Sequence, residues 1–206
     1  MVAKLAEIWL RFEAGLPKLG LASAVLRPGA NEAALGAFEA ATHLTLPAEV
    51  REWFREHDGQ TTEAGLAAGF HFLSLVEAQK LMDDWAATRA KLGDSIKDLD
   101  RGCSSNPPKA IQRKYSLAGW IPLMRDREGN AIGIDLEPGP NGTAGQIINF
   151  GRDEDDKYVL FSSAAELLQW LASELEAERI VYDQVGRIVR HVNGRLVAAI
   201  QEAKGL

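Results

Sequence analysis

Apolar residues recur at helical spacing from the start of the chain. Leu5, Ile8, Trp9 and Phe12 share one stripe of a helix expected over residues 3–14. Arg27-Pro28-Gly29 breaks the pattern, and Asn31 is a suitable N-cap for a second helix that turns Leu35 and Phe38 inward. A third helix opens at Leu46-Pro47, since a proline in the first turn has no N–H to leave unpaired. Val50, Trp53, Phe54 and His57 then fall on one face, and Asp58-Gly59 ends the helix with a glycine free to take positive φ. Residues 61–68 read as a small-residue loop and 70–73 as a short strand. Ser74 with Glu77 forms a capping box for a fourth helix reaching about Leu92, half-buried through Leu75, Leu81, Met82 and Trp85.

From Gly93 to Gly119 the periodicity disappears. Cys103-Ser104-Ser105-Asn106-Pro107-Pro108 predicts irregular backbone, and Lys109, Arg113 and Lys114 make the stretch locally basic. Short strands follow at 120–124, 131–135, 145–150 and 158–161, with turn signals between them, which predicts a meander. Ser163 and Glu166 read as a second capping box, opening a helix whose apolar face is Leu167, Trp170, Leu171 and Leu175. In the tail, Ile180-Val181-Tyr182 and Ile188-Val189 look like strands. Asn193-Gly194 either closes a hairpin or stops one element ahead of a helix over 195–203, and strand-then-helix is the favoured order. Without repeats or a linker, the chain reads as a single domain over residues 1–206 with its core at about 25–178.

Composition narrows the class. A chain that is 46% hydrophobic and 25% charged folds rather than staying disordered. A net charge of −6 and a pI of about 5.3 argue against nucleic acid as a partner. They suit a basic protein partner, or simple solubility. The one cysteine, Cys103, allows neither an internal disulfide nor a thiolate metal cluster, and reads as a loop thiol in a reducing cytoplasm. Ala22-Ser23-Ala24 resembles a processing site, but Glu7, Arg11, Glu13, Pro17 and Lys18 interrupt any apolar run before it. No run is long enough to cross a bilayer, so no membrane association is expected. Asn141-Gly142-Thr143 is a glycosylation triplet that has no meaning in a cytoplasmic protein.

Candidate chemistry is sparse. The glycine-rich stretch from Gly139 to Gly145 lacks the Lys-Ser/Thr pair of a phosphate loop and runs into a strand. Asp153-Glu154-Asp155-Asp156 lacks calcium-loop spacing; it reads as a solvated turn, or as a docking surface for basic residues. His43, His57, His71 and His191 show no metal-ligand spacing; His57 is expected to pack at a helix end and His71 to face outward. No nucleophile elbow exists, and pairs such as Asp83-Asp84 are ordinary surface carboxylates. Neither catalytic residues, cofactor nor metal are predicted, unless Asp135, Gln146 and His57 converge in a pocket. The tryptophans are adequately explained as core, although an exposed Trp120 would make an interface anchor.

One ordered series of residues goes further. Glu39, Leu46-Pro47, Asp58-Gly59, Phe72-Leu73-Ser74, Trp120-Ile121-Pro122, Gly129 with Ile134-Asp135, Gly145-Gln146-Ile147, and Ser163 with Leu171 resemble, in complete order, the pattern of the SUKH superfamily. That group includes the yeast Smi/Knr regulators of cell-wall synthesis and many bacterial immunity proteins. The resemblance implies an α+β domain, a twisted and largely antiparallel sheet with helices packed against it. It implies no catalysis, and it implies a protein partner. Toxin neutralisation by direct contact is the leading expectation, and regulation or scaffolding in wall synthesis the alternative. The candidate partner-binding residues are Asp58, Gln60, Trp120, Asp135, Gln146, Asp153, Glu154, Asp155 and Asp156, with the basic segment near Lys109 as a further surface.

Overall fold

The amphipathic stripe at the start forms α1 (Leu5–Gly15), which buries Leu5, Ile8, Trp9 and Phe12 and runs on into a 3-10 turn, Leu16–Leu19. The structure, a computed structural model, describes residues 4–21, 25–186 and 188–206; Ala22-Ser23-Ala24 lies outside them. Asn31 caps α2 (Glu32–Thr42) by accepting the N–H of Ala34 at 2.9 Å. In α3 (Ala48–Glu56), Pro47 is the N-cap and not the first helical residue. The helix stops at Glu56, so His57 is extended and leaves the helical face predicted for it. Its ring nevertheless packs, 4.9 Å from the Trp9 ring, with Nδ1 3.0 Å from the Arg27 carbonyl and Nε2 2.9 Å from Glu13.

The strand β1 (His71–Phe72) and the helix α4 (Leu75–Leu92) follow, the latter opened by a complete capping box between Ser74 and Glu77. The aperiodic stretch contains three elements not expected there. A 3-10 turn, Gly93–Ser95, leads into α5 (Ile96–Gly102), and β2 (Ser104–Asn106) then pairs in parallel with β6. Ser and Asn are poor strand formers. This strand stands because it lies at a sheet edge and is tied by Ser104 Oγ donating to Asp156 at 2.7 Å. The meander is β3 (Trp120–Arg125), β4 (Asn130–Asp135), β5 (Gln146–Gly151) and β6 (Asp156–Phe161). The sheet order is β1-β3-β4-β5-β6-β2, antiparallel at every pairing except β6 with β2. Then come α6 (Ala164–Glu176), the hairpin β7 (Ile180–Asp183) with β8 (Ile188–His191), and α7 (Leu196–Lys204). Ser163 caps α6, but Glu166 reaches back to Ser162 at 2.7 Å, one residue earlier than a capping box requires.

The fold is α+β, with helices on a largely antiparallel sheet. Both sheet faces are covered. Ile147 joins the main core beneath α1, α3 and α6, while Ile148 and Phe150 turn the other way into a smaller core with Trp120, Ala110 and Ile111. Trp120 is only 2% exposed, so it cannot be the interface anchor considered above. Cys103 does lie in the loop between α5 and β2, but its thiol is buried. No described helix is long and apolar enough to cross a membrane.

Asp58-Gly59 ties these elements together. Gly59 sits at φ +83°, and a Cβ there would meet the Ser74 nitrogen at 2.5 Å. Gly36, in the middle of α2, has open space around it. Gly59→Ala is therefore expected to lower stability by about 2 kcal/mol or more, and Gly36→Ala to raise it by about 0.5–1 kcal/mol, both read from urea unfolding.

Candidate functional site

The acidic turn forms one bank of a groove. Its geometry begins with Lys157, whose side chain is fully buried although lysine is rarely found so. Its ammonium donates to the Glu154 carbonyl at 2.8 Å, lies 3.4 Å from Cys103 Sγ, and faces the Trp120 ring at 5.6 Å. The turn preceding β6 is pinned from below as a result. Glu154 points inward, where the Asn149 amide donates to its carboxylate and burial pushes its pKa up. Asp153, Asp155 and Asp156 remain exposed. Asp153 pairs with Arg152 at 3.0 Å, while the Asp155 carboxylate has no partner among the described residues.

The groove, of about 750 Å³, lies between this turn, the β3–β4 turn, the 63–70 loop, β8 and α7. Ala68, Phe70, Tyr158, Val189, Leu196 and Val197 give it an apolar lining. Its rim carries Glu63, Asp126, Glu128 and the four acidic residues from Asp153 to Asp156, against Arg127, Arg190 and Arg195. The wall formed by the tail is fastened to the body. His191 Nε2 meets Glu174 at 3.0 Å beneath Trp170, the Val189 N–H donates to the Ala64 carbonyl at 3.1 Å, and Lys204 reaches the Leu160 carbonyl at 2.8 Å. Arg195 bridges the groove to Glu128 at 2.8 Å.

A second cleft, of about 440 Å³, adjoins the groove and shares Glu63, His71, Asp126 and Arg127 with it. Arg27, Arg125, Gln60, Thr61, Thr62 and Glu77 add to its polar lining. His71 does not face out freely as expected; it is half-buried, 3.2 Å from the Gln60 amide nitrogen.

The other sequence candidates lie elsewhere. Trp120, Asp135 and Gln146 do come together, but inside the protein. Asp135 accepts from the Trp120 indole at 3.1 Å, from the Glu137 N–H at 2.9 Å and from the Gln146 amide at 2.9 Å. Gln146 also donates to the Ala110 carbonyl at 2.9 Å. Burial raises the Asp135 pKa despite these bonds, whose pull is downward. This knot clamps the 107–111 segment onto the sheet and has nothing left to offer a partner. The convergence of Asp135 and Gln146 with His57 does not occur, because His57 is held by Arg27 and Glu13 beside α1. Asp58 uses its carboxylate on the Leu75 N–H at 2.7 Å, at the start of α4. The acidic run and Gln60 are therefore the candidates that lie at clefts. The rest of the groove comes from segments up to about 140 residues apart, for which no local signal exists.

Two outcomes follow from these bonds. Asp135→Asn turns an amide NH₂ toward a donor that needs an acceptor, and is expected to cost about 1–3 kcal/mol in denaturant unfolding. The Glu174 carboxyl is held below its ordinary range, first by Arg179 and also by His191. Its contribution is complete above the ordinary glutamate pKa and is lost as pH falls through the depressed value. Protection factors of the β8 amides, which correct for slower intrinsic exchange at acid pH, are expected to fall below that point in the native protein, with the fall absent in Glu174→Gln.

Comparison with known proteins points one way. The profile of the SMI1 / KNR4 family (SUKH-1) matches residues 29–170. The chain is 35% identical over 175 residues to the cell wall biosynthesis/cell cycle regulator smi1 of Schizosaccharomyces pombe, covering 81% of this chain and 35% of that protein. It is 35% identical over 172 residues to the glucan synthesis regulatory protein of Neurospora crassa, covering 68% of this chain and 32% of that one. It is 33% identical over 165 residues to the cell wall assembly regulator SMI1 of Saccharomyces cerevisiae, covering 65% of this chain and 33% of that one. The chain thus spans about a third of the length of the curated relatives it matches. On the profile match, which takes in more than half its residues, the chain belongs to the SMI1 / KNR4 family (SUKH-1).

Proposed function

We propose that this chain is a noncatalytic, protein-binding regulator of cell-wall assembly that acts in the cytoplasm. The observation that carries the reading is the family match together with relatives named as regulators of wall or glucan synthesis. Those names reverse the order given by sequence alone, in which toxin neutralisation stood first. The geometry favours binding through the groove. An apolar lining buries a partner's side chains, and a rim richer in carboxylates than in guanidiniums favours a basic segment. The exposed Asp153 and Asp155 are the rim charges that a partner meets at least desolvation cost, whereas Glu154 is already engaged by Asn149.

The test is capture of partners from cells by the tagged chain, with identification by mass spectrometry and affinities measured on the purified pair. Wall-synthesis or signalling proteins are expected, bound about tenfold or more weakly by the Asp153→Lys/Asp155→Lys double variant, with its fold unchanged by circular dichroism. A single partner with a basic toxin domain would move toxin neutralisation back to first place. A wall-synthesis partner whose affinity is indifferent to the double variant would displace the interface from the groove.

A further inference from the structure

The cleft beside the groove has more hydrogen-bond donors than the protein uses. Arg125, exposed at the end of β3, makes no side-chain hydrogen bond or ion pair among the described residues. Arg127 donates one N–H to the Glu63 carbonyl at 2.7 Å, and Arg27 approaches Glu77 no closer than 3.5 Å. A guanidinium carries five N–H groups, so most of this capacity is free.

His71 adds a donor whose position Gln60 determines. Gln60 Oε1 accepts the N–H of Phe72 at 3.0 Å and that of Leu66 at 3.4 Å, so the oxygen faces the backbone. The amide nitrogen, which also donates to the Thr62 carbonyl at 2.6 Å, therefore faces His71 Nδ1. Nδ1 must accept, and the ring proton sits on Nε2. Burial, aided by the charges of Arg127 and Arg125, holds the imidazole pKa below its ordinary value against the pull of Glu63 and Glu77. The ring is a neutral donor at physiological pH, and Gln60 is its positioning residue.

The acceptors in the cleft are mostly occupied. Asp126 Oδ1 accepts the N–H groups of Glu128 and Asn130, both at 2.8 Å, and Oδ2 accepts the Asn130 amide at 2.9 Å. Glu77 Oε2 accepts the Ser74 N–H at 2.9 Å and hydroxyl at 2.7 Å. The Glu63 carboxylate and Glu77 Oε1 remain, without a hydrogen bond among the described residues. Formal charges in the cleft balance, so hydrogen-bonding capacity, and not net potential, decides what fits: an acceptor-rich, compact, dianionic group.

We propose that this cleft binds a phosphoryl group carried on a serine or threonine of the partner, with Arg125 and Arg127 as guanidinium forks and His71 Nε2–H as a third donor. A phosphoryl group offers three terminal oxygens and close to two charges at neutral pH, matching three donor groups better than a carboxylate does. Because the two clefts share Glu63, His71, Asp126 and Arg127 as a common wall, residues flanking the phosphate would reach the acid-rimmed groove across that wall. That a protein partner carries the phosphate, and the flanking contacts, rest on the binding reading above; the donor set of the cleft does not.

The test uses the full chain and a peptide library with degenerate flanks around a fixed phosphothreonine, compared with the same library carrying threonine, at physiological ionic strength. The phosphorylated library is expected to be retained about tenfold more, the order of one or two charge-assisted hydrogen bonds. Arg125→Glu, at an exposed position, is expected to abolish the difference. The Asp153→Lys/Asp155→Lys variant is expected to keep it while altering the selection of basic flanks, so that failure of the groove and failure of the phosphoryl site are told apart. Equal retention of both libraries, or a difference indifferent to Arg125→Glu, would overturn the proposal. So would inorganic phosphate binding as tightly as the peptides, or phosphatidylserine vesicles binding through Arg125 without phosphopeptide selectivity.

Discussion

The structure depends on one joint, the three residues Asp58-Gly59-Gln60. The backbone here is shared among four elements at once. Its Gly59 carbonyl accepts the Arg27 N–H at 2.9 Å, and the Gln60 N–H donates to the Phe72 carbonyl at 3.1 Å. The Asp58 carboxylate receives the first free N–H of α4. Only a residue without a Cβ can pass so close to Ser74. The exit of α3, the start of α4, the incoming 25–30 segment and the edge strand β1 therefore have one relative placement. Gln60, buried beneath it, transmits that placement to His71 and so to the cleft.

The same economy explains why the family pattern names so few surface residues. Glu39 accepts the Leu46 N–H at 2.8 Å and the Arg51 guanidinium at 2.7 Å, which ties α2 to the entry of α3. Asp135, Gln146 and Trp120 close on one another and hold the 107–111 segment. Gly142 lies where a Cβ would stand 2.0 Å from the Ala110 carbonyl, against that same segment. Residues of this kind specify a fold by satisfying buried polar groups, whose loss is costly. What they leave free is the acidic turn, the β3–β4 turn and the tail, where we place the proposed partner surface. On that proposal, fold and function are encoded by largely separate sets of residues.

What could be read from the sequence followed from range. Caps, periodicity and turn glycines act within a few residues, so the helices other than α5, the meander and both N-cap serines were visible. β2 was not, because its strand character comes from an edge fifty residues away and from Ser104 bonding to Asp156. Nor was the burial of Lys157, whose ammonium is accommodated by a carbonyl, a thiol and an indole face that no spacing rule predicts. The groove was half visible: the acidic run announced itself, but its opposite wall is the tail, held by the Glu174–His191 contact across seventeen residues. The arginine cleft was invisible for a different reason. Its charges cancel in any count, and only the geometry shows which of them are already satisfied.

That distinction bears on how two clefts of different character can share a wall. Asp126 and Arg127 are adjacent on the β3–β4 turn, yet they contribute differently. Asp126 is mostly occupied by its own turn, with three accepted hydrogen bonds, and acts as a fixed negative charge, whereas Arg127 keeps free N–H groups. A ligand crossing from groove to cleft would pass from a rim that attracts cations through charge to a pocket that binds anions through directed donors. Charge attraction is long-ranged and screened by salt, while directed hydrogen bonds act only on contact. On the proposed reading, the groove would gather a basic segment and the cleft would discriminate among segments once they had arrived. Both depend on His71 and the 63–70 loop staying where Gln60 and the Asp58-Gly59 joint put them.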